Sequence, residues 1–212
     1  MKSKGFLMVT MEPPSSMEEE FNEWYDTEHV PERIAVKGFE TAQRYVCING
    51  FPRYMAAYDL NTPEILDGKQ YKNISGEKFS PWSKRILNRV TGLWRVTGEQ
   101  IYPGHSRATT SQRLTLLHYQ DISPRLLEQL VQEIRDTYEK HHLVRGLRII
   151  QCHDNHRKTQ QYVVLVEGNR GVGEITGPAL EGKFRAHLVL CNEYARYWPY
   201  SLNDVLGKAV KD

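Results

Sequence analysis

Short apolar runs alternate with amphipathic stretches along the first half of the chain. The run "GFLMVTM" predicts a strand that ends at "EPPSS", and the segment from Met17 to Pro31 has the spacing of an amphipathic helix. The runs "ETAQRYVCI" and "RYMAAYDL" flank the turn residues "NGFP" and predict a hairpin. A helical segment from Thr62 to Lys72 and a final strand, "LWRVTGEQIY", complete the order βαββαβ, which is the ferredoxin-like unit.

The same order recurs after the polar segment "PGHSRATTSQ". The run "RLTLLHYQ" predicts a strand, and a helix is expected to follow and to end near His142, with Ser123 as its N-cap and Pro124 at its first position. The runs "GLRIIQCH", "TQQYVVLVEG" and "RAHLVLCNEYARYW" predict three more strands, with a short helix in "VGEITGPALEG". The motif "YDTEH" that begins at Tyr25 has a counterpart, "YEKHH", that begins at Tyr138.

These two patterns predict an α+β fold built from tandem ferredoxin-like βαββαβ repeats. The predicted boundaries are 1–105 for the first repeat, 106–112 for the linker and 113–212 for the second, diverged repeat. Their two antiparallel sheets can pack face to face as a pseudo-symmetric barrel. A cavity between the sheets, or under the helices, is the expected ligand site.

One chain with two repeats can build such a barrel alone, so a monomer is an open alternative. The exposed sheet edges and an arm over residues 79–100 could instead mediate a homodimer. We favour the homodimer, because "FSPWSKRILNRVTGLW" carries more apolar residues than a solvated arm needs.

The first predicted helix combines aromatic side chains with groups that can carry protons. At about 100° per residue, Phe21, Trp24, Tyr25 and Glu28 share the inward face, and His29 lies on its flank. Asp26, three residues before His29, is close enough to orient the imidazole and to favour its protonated form. Glu28, if buried among the aromatic residues, would resist ionisation and could itself hold a proton. A histidine at a helix end also suits the helix dipole, which is the structural alternative.

Composition and charge exclude several classes of partner. The chain has 212 residues and a formal net charge of +2, with no long run of like charge, so neither nucleic acid nor an anionic membrane is an expected partner. The start of the chain is too short in apolar residues for a signal sequence or a membrane span. The cysteines, Cys47, Cys152 and Cys191, are odd in number and widely spaced, which favours a reducing cytoplasm.

The stretch "FNEWYDTEHVPERIAVKGFETAQRY", followed by "PRYMAAYDL", resembles the EthD-like family of the dimeric α+β barrel superfamily. The shared pattern is F-x-x-W-Y-x-x-E-H-x-P-x-R. The resemblance as a whole covers residues 1 to about 102. The second half departs from the pattern, and the resemblance implies that it supplies the other half of the barrel. Carried over position by position, the resemblance points to five site residues: Trp24, Asp26, Glu28, His29 and Arg33.

The resemblance implies several possible reactions, because relatives include isomerases, cyclases, dehydratases, decarboxylases and monooxygenases. We expect a cofactor-independent enzyme of the lyase, dehydratase or isomerase type, acting by proton transfer on a small hydrophobic carbonyl or phenolic molecule. His29, Asp26 and Glu28 are its candidate catalytic residues. We expect His29 to face the largest internal pocket, and His29→Ala to leave folding nearly intact while it lowers the rate. The alternatives are a monooxygenase or haem-dependent enzyme of the same superfamily, and a barrel that binds a small molecule without catalysis.

The remaining candidates are substrate-binding residues. Besides Trp24, Tyr25 and Arg33, strand alternation selects four side chains that could face a cavity: Arg44, Tyr54, Tyr58 and His118. Arg44 could hold an anionic group of the substrate. The cluster "CHDNH" falls in a predicted hairpin turn, so we interpret it as a solvated turn and expect no metal site. No cofactor is expected, and haem would require an axial histidine for which the sequence names no unique candidate.

Overall fold

A computed structural model describes residues 3–153 and 160–197 of the protein. Most of the predicted "CHDNH" turn, from residue 154 onward, lies outside the described residues, as does the chain after residue 197. The strands are β1 (Gly5–Glu12), β2 (Gln43–Asn49), β3 (Tyr54–Leu60), β4 (Thr91–Tyr102), β5 (Arg113–Ile122), β6 (Val144–Cys152), β7 (Gln160–Gly168) and β8 (Leu188–Arg196).

Helices connect these strands in the predicted order. The α-helices are α1 (Glu18–Trp24), α2 (Val30–Ile34), α3 (Lys69–Lys72), α4 (Pro81–Leu87), α5 (Leu127–Tyr138) and α6 (Pro178–Glu181). A π-helical turn, Tyr25–His29, joins α1 to α2. Short 3₁₀ turns lie at Ser15–Met17, Pro63–Asp67, Gly76–Lys78, Pro124–Leu126, Val172–Glu174 and Arg185–His187.

The eight strands form a closed antiparallel barrel in the order β1-β3-β2-β8-β5-β7-β6-β4. Each half of the chain contributes four neighbouring strands, and the halves join where β2 pairs with β8 and β4 pairs with β6. The predicted α+β class and tandem arrangement are confirmed. Among the described strands, closure leaves no exposed edge of the kind we expected to mediate a homodimer, because both outer strands of each half are paired. The predicted repeat boundaries stay predictions.

The arm before β4 packs on its own chain. Ile86 of α4 is buried in the core beneath the first-half helices, and Trp82, Leu87 and Val90 pack against the same core. The apolar residues that favoured a homodimer are therefore largely covered within the chain. A homodimer stays a prediction, which light scattering at micromolar concentration can check.

Alternate strand residues face opposite sides of the barrel wall, which gives three apolar cores. The interior is filled by Phe6, Met8, Tyr45, Met55, Ala57, Val96, Leu114, Leu116, Ile150, Val163, Leu165 and Tyr194. The outer face of the first half packs under α1, α2 and α4, and that of the second half packs under α5 and α6. Side chains of one strand therefore reach either the barrel interior or the layer under the helices.

A charged cluster in the barrel interior connects the two halves. Asp59 of β3, Arg148 of β6 and Glu167 of β7 are all buried. Arg148 forms a hydrogen-bonded ion pair with Asp59, and its Nη2 lies 3.6 Å from Oε2 of Glu167. The backbone N–H groups of Ala108 and Thr109 donate to Asp59 and Glu167, at 2.7 and 3.1 Å. The cluster therefore also holds the segment between the halves.

Both long helices end near the predicted residues, the first just after Pro31 and the second just before His142. The first helix continues through Pro31 to Ile34, because a widened turn precedes the proline and can relieve the clash and the lost hydrogen bond that proline causes inside a regular helix. In the second half, Ser123 makes no side-chain cap bond, and the helix ends at Tyr138. Within residues 3–153 and 160–197, no helix is long and apolar enough to cross a membrane.

Candidate functional site

The motif "YDTEH" forms the widened turn of the first helix. Tyr25–His29 is π-helical, and the N–H of Val30 donates to the carbonyl oxygen of Tyr25, five residues back. Such turns inside α-helices are frequent at functional sites. The wider turn changes the direction of every side chain after Trp24, so the predicted spacing of about 100° per residue no longer applies there. His29, predicted on the flank of the helix, is buried instead.

Aromatic rings enclose His29, which is 6% exposed. The ring centroids of Trp24, Tyr25 and Phe79 lie 4.3, 5.2 and 6.4 Å from that of the imidazole. Nδ1 of His29 has no hydrogen-bond partner among the described residues. A buried polar atom without a partner costs about 1–3 kcal/mol, unless a bound molecule supplies one.

Arg44, on β2, was predicted to stand over a cavity, but it lines none of the three cavities described below. Its guanidinium is buried and donates to Oδ1 of Asp26 at 2.6 Å and to Oδ1 of Asn22 at 2.5 Å. The predicted pairing of Asp26 with His29 is thereby corrected. The guanidinium is the stronger partner, because it is permanently charged and offers several N–H donors.

A second buried cation, Arg33, lies near the same imidazole. Its Nη1 donates to the carbonyl oxygen of Ile74 at 3.0 Å. Its guanidinium lies 5.4 Å from the ring centre of Tyr71 and 5.7 Å from that of Phe79. The site therefore holds two positive charges within a largely aromatic enclosure.

Burial lowers the pKa of His29 well below its usual value of 6.5, and the positive charges of Arg33 and Arg44 lower it further. The imidazole is therefore neutral at pH 7. This is the opposite of the expected carboxylate effect, because the nearby charges that act on His29 are cations. A neutral imidazole can accept a proton, so the group has the protonation state of a general base.

This depressed pKa predicts how stability depends on pH. Below about pH 6.5 the unfolded chain protonates His29 while the native state does not, so the free energy of unfolding falls by up to about 1.4 kcal/mol per pH unit. The loss continues until the pH reaches the native pKa. We expect this component to be absent from a His29→Phe variant. Urea unfolding of both proteins near pH 7 and about pH 5.5 measures the difference, and equal losses in both would contradict the assignment.

Glu28 lies at the outer side of the site and is only partly buried. Its Oε1 accepts hydrogen bonds from the hydroxyl groups of Ser80 and, at 3.2 Å, Ser83. The Ser83 hydroxyl also accepts a bond from Nε1 of Trp24, at 3.0 Å. The predicted burial of Glu28 among aromatic residues is therefore corrected. Its carboxylate connects the first helix to the start of α4 and helps to position Trp24.

Two tyrosines of β3 differ in their environment. Tyr58 is buried, and its hydroxyl has no hydrogen-bond partner among the described residues. Burial raises its pKa well above 10, so the hydroxyl stays protonated and can donate. The Tyr54 hydroxyl instead donates to Glu18 at 2.5 Å and accepts from Asn22 at 3.2 Å. Of the two, only the Tyr58 hydroxyl has no partner among the described residues, so it is the one that can bind a ligand.

The structure brings most of the predicted residues together. Those in one cluster under the first-half helices, which we call the His29 cluster, are Trp24, Tyr25, Asp26, His29, Arg33, Arg44 and Tyr58. Sequence reasoning missed Tyr71, Phe79 and Tyr197, whose ring centre lies 4.1 Å from the Arg44 guanidinium. They are distant in sequence and carry no local signal. Asn22 was detectable, because it precedes Asp26 by one helical turn.

His118 lies elsewhere, in a cavity of about 630 Å³ at one end of the barrel. This mouth cavity is lined by residues that include Thr10, Trp94, His118, Cys152, Gln161 and Leu190. Neither it nor two smaller cavities, of about 180 and 260 Å³, includes His29. The expectation that His29 faces this cavity is therefore corrected, because Arg44 and the rest of the His29 cluster lie on the outer face of the barrel wall. In the described part of the chain, no group of three His, Cys, Asp or Glu side chains could hold a metal ion.

No protein-family model matches the sequence, and a search of curated proteins gives no match. Solved structures are similar in fold. An anthrone oxidase-like protein superposes with a TM-score of 0.68 at 10% identity, covering 95% of this chain and 94% of the other. A candidate chlorite dismutase gives 0.61 at 10% identity, covering 93% and 96%.

A candidate monooxygenase from Lactobacillus acidophilus NCFM gives a TM-score of 0.55 at 8% identity, covering 92% and 94%. These likenesses extend over nearly the whole length of each chain, although the sequences have little in common. The protein therefore has the dimeric α+β barrel fold, with all eight strands of the barrel supplied by one chain.

Proposed function

We propose that this protein is a cofactor-independent enzyme that removes a proton from a small hydrophobic carbonyl or phenolic molecule, with His29 as the general base. We also propose that it is a member of the EthD-like branch of its superfamily. The observation that carries the first proposal is a buried, neutral imidazole with an unpartnered Nδ1, beside two buried guanidinium groups.

The unpartnered polar atoms of the His29 cluster support a ligand site. His29 and Tyr58 each bury a polar atom without a partner among the described residues. Two such atoms cost about 2–6 kcal/mol together, which a purely structural core would avoid by using phenylalanine. His29 lines none of the three cavities, so a carbonyl or phenol would enter by displacing side chains around it, and it would then supply a hydrogen-bond partner. The surrounding rings would contact its apolar part.

The charges of the cluster suit a reaction through an anion. When His29 takes a proton from a C–H next to a carbonyl, or from a phenolic O–H, the electron pair left behind moves onto the oxygen. Arg33 and Arg44 stabilise that negative charge, and the low dielectric of a buried site strengthens their effect. Asp26 and Asn22 hold Arg44 in position for this role. The imidazolium can then return the proton to another atom, which gives an isomerase, or assist a leaving group, which gives a lyase or dehydratase.

An oxygenase is the second candidate, because two of the similar structures are described as anthrone oxidase-like and as a monooxygenase. It shares the first step, since the same carbanion or phenolate can transfer electrons to O₂. With anthrone, one molecule of O₂ would be reduced as the methylene becomes a carbonyl, giving anthraquinone and water. The residues required of the protein are the same in both schemes.

The described residues do not fit a haem site, which is the haem-dependent alternative that the sequence resemblance implies. A haem needs an axial ligand nitrogen that faces an apolar space. Of the histidines that line the mouth cavity, His118 has its Nε2 hydrogen-bonded to Oε1 of Gln161 at 2.9 Å, and His153 is exposed rather than set in an apolar pocket. We therefore derive no step through haem.

Anthrone is a suitable probe, because its methylene is an acidic C–H next to an aromatic ketone. Under anaerobic conditions in D₂O, NMR measures exchange of the methylene hydrogens, and in air an oxygen electrode measures O₂ uptake. We expect exchange well above the buffer rate. Exchange without O₂ uptake supports the lyase or isomerase class, and both together support the oxygenase. Binding of anthrone without either reaction would contradict catalysis and favour a binding protein. The absence of both binding and reaction would contradict the proposed class of substrate.

A further inference from the structure

We propose that the mouth cavity is a second small-molecule site, which takes a neutral, planar aromatic molecule with polar substituents. Its volume of about 630 Å³ lies within the usual range for ligand pockets, about 300–1,000 Å³. It lies on the inner side of the barrel wall, whereas the His29 cluster lies on the outer side. The proposal therefore goes beyond the proposed function and does not depend on it.

The floor of the cavity presents a flat aromatic surface. The rings of Trp94 and His118 are stacked, with centroids 4.5 Å apart and an interplanar angle of 28°. Nε2 of His118 donates to Oε1 of Gln161 at 2.9 Å, which holds the imidazole plane in place. Trp94 is only partly buried and can stack against a further ring. Aromatic stacking contributes about 0.5–1.5 kcal/mol beyond the buried area.

The rim of the cavity is unusually apolar for an exposed surface. Among the described residues, the large apolar side chains classed as exposed are Ile48, Phe51, Leu93 and Val189, each more than half exposed. Three of them, Phe51, Leu93 and Val189, surround the mouth cavity. Clustered exposed apolar side chains around a cavity are typical of a binding site, whereas scattered ones are not.

Gly92 keeps this rim closely packed. Its φ of +59° is in the left-handed region that favours glycine, and an added Cβ would lie 2.6 Å from Cγ of Pro52 and 3.1 Å from the ring of Phe51. Any other residue would push the Phe51 loop away from β4. The position of the apolar rim is therefore built into the backbone.

The charge of the lining selects a neutral ligand. No aspartate or glutamate is among the described residues that line the cavity. Arg95 lines it, but its guanidinium donates to the Tyr71 hydroxyl at 3.3 Å, in the layer under the helices. A charged molecule would lose its hydration in the cavity: a cation would find no carboxylate in the described lining, and the Arg95 guanidinium is directed to Tyr71 rather than to an anion in the cavity. Polar side chains also line the cavity: the Thr10 hydroxyl, which donates to the carbonyl oxygen of Gly92 at 3.2 Å, keeps lone pairs that can accept from a hydroxyl substituent.

The test uses N-phenyl-1-naphthylamine, a neutral aromatic amine whose fluorescence rises in apolar surroundings. We expect saturable binding to the unmodified protein. Leu93→Glu and Val189→Glu, each at a rim position that is 54% exposed, should weaken the affinity by roughly tenfold, because they place a charge beside the bound probe. Circular dichroism checks that these surface variants fold.

Ile48→Glu is the matched control. Ile48 is 53% exposed, but it lines the cavity of about 180 Å³ and not the mouth cavity. Its affinity for the probe should stay unchanged. The proposal is overturned if the probe does not bind saturably, if the rim variants bind as well as the unmodified protein, or if Ile48→Glu weakens binding equally. Loss of probe binding in His29→Phe would instead place the probe in the His29 cluster and also overturn it.

Discussion

Replacing His29 by phenylalanine should lower the rate of anthrone exchange by roughly 10²-fold or more, while the protein stays folded. Phenylalanine keeps a ring against Trp24 and Tyr25, whose centroids lie 4.3 and 5.2 Å from the imidazole. It removes only the nitrogen atoms that can accept a proton. NMR exchange rates at saturating anthrone, together with urea unfolding, measure the two effects separately.

Alanine is the less informative substitution at this position. We first expected His29→Ala to leave folding nearly intact, but the side chain is buried and packed between rings, so alanine would open a cavity. With phenylalanine, the free energy of unfolding at pH 7 should change by less than about 1 kcal/mol, because the removed Nδ1 has no partner in the described residues and the added bulk offsets part of the gain. A functional residue is expected to show this combination of lost activity and retained stability.

The second repeat offers a matched control. His142 occupies the position in "YEKHH" that His29 occupies in "YDTEH", but it is exposed. His142→Phe should leave the exchange rate unchanged. Turnover by His29→Phe at the unmodified rate would refute the assignment of His29 as the base, and the histidine would then have only a structural role.

Replacing Arg148 by methionine should destabilise the protein by roughly 3–5 kcal/mol. Arg148 is 1% exposed, and its loss would leave the carboxylates of Asp59 and Glu167 buried without their cation. For a chain of this size the melting temperature should fall by roughly 6–20 °C. Urea unfolding at pH 7 is the direct measurement.

Two further variants separate the charge effect from lost packing. Arg145→Met, at an exposed position of the same strand, should change stability by less than about 0.5 kcal/mol. Adding Glu167→Gln to Arg148→Met should recover part of the loss, because the amide carries no charge. A loss below about 1 kcal/mol in Arg148→Met would show that the cluster contributes little.

The free energy of unfolding of the Arg148→Met variant should depend on pH in the way that a buried, unpaired Glu167 requires. Burial raises the pKa of Glu167 above its usual value even when Arg148 is present. The native state therefore binds a proton more readily than the unfolded state, and stability falls as the pH rises through the interval between the two pKa values. Without the cation this interval should widen, so mild acid should restore stability to the variant.

The order of the strands along the chain was predictable, because each strand is marked by a local sequence pattern. Runs such as "GFLMVTM" and "YVVLVEG" are apolar and β-prone, and turn residues separate them. The recurrence of "YDTEH" as "YEKHH" indicated two repeats. Barrel closure was harder to foresee, because the pairing of Tyr45 with Arg196, and of Gly98 with Cys152, joins residues far apart in the chain. The local sequence of a strand does not show which distant strand it will pair with.

The composition of the His29 cluster was largely predictable, but its electrostatics were not. The motif placed Trp24, Tyr25 and His29 close together, as the structure has them. The regular helical spacing then assigned Asp26 to the imidazole. The π turn and the guanidinium of Arg44, which comes from β2, changed both the direction of the side chains and the pairing.

Periodicity and turn chemistry act between near neighbours, so the α+β class, the order of the elements along both halves and the helix that carries the proton-handling residues could be read from the chain alone. The partner of each of those residues became clear only from the folded arrangement. It buried His29 as a neutral base between aromatic rings and near two cations, and it placed His118 in a separate cavity inside the barrel. Burial and charge pairing together set the pKa of a side chain. Both depend on residues that the fold brings from distant elements, so the pKa cannot be read from the local sequence.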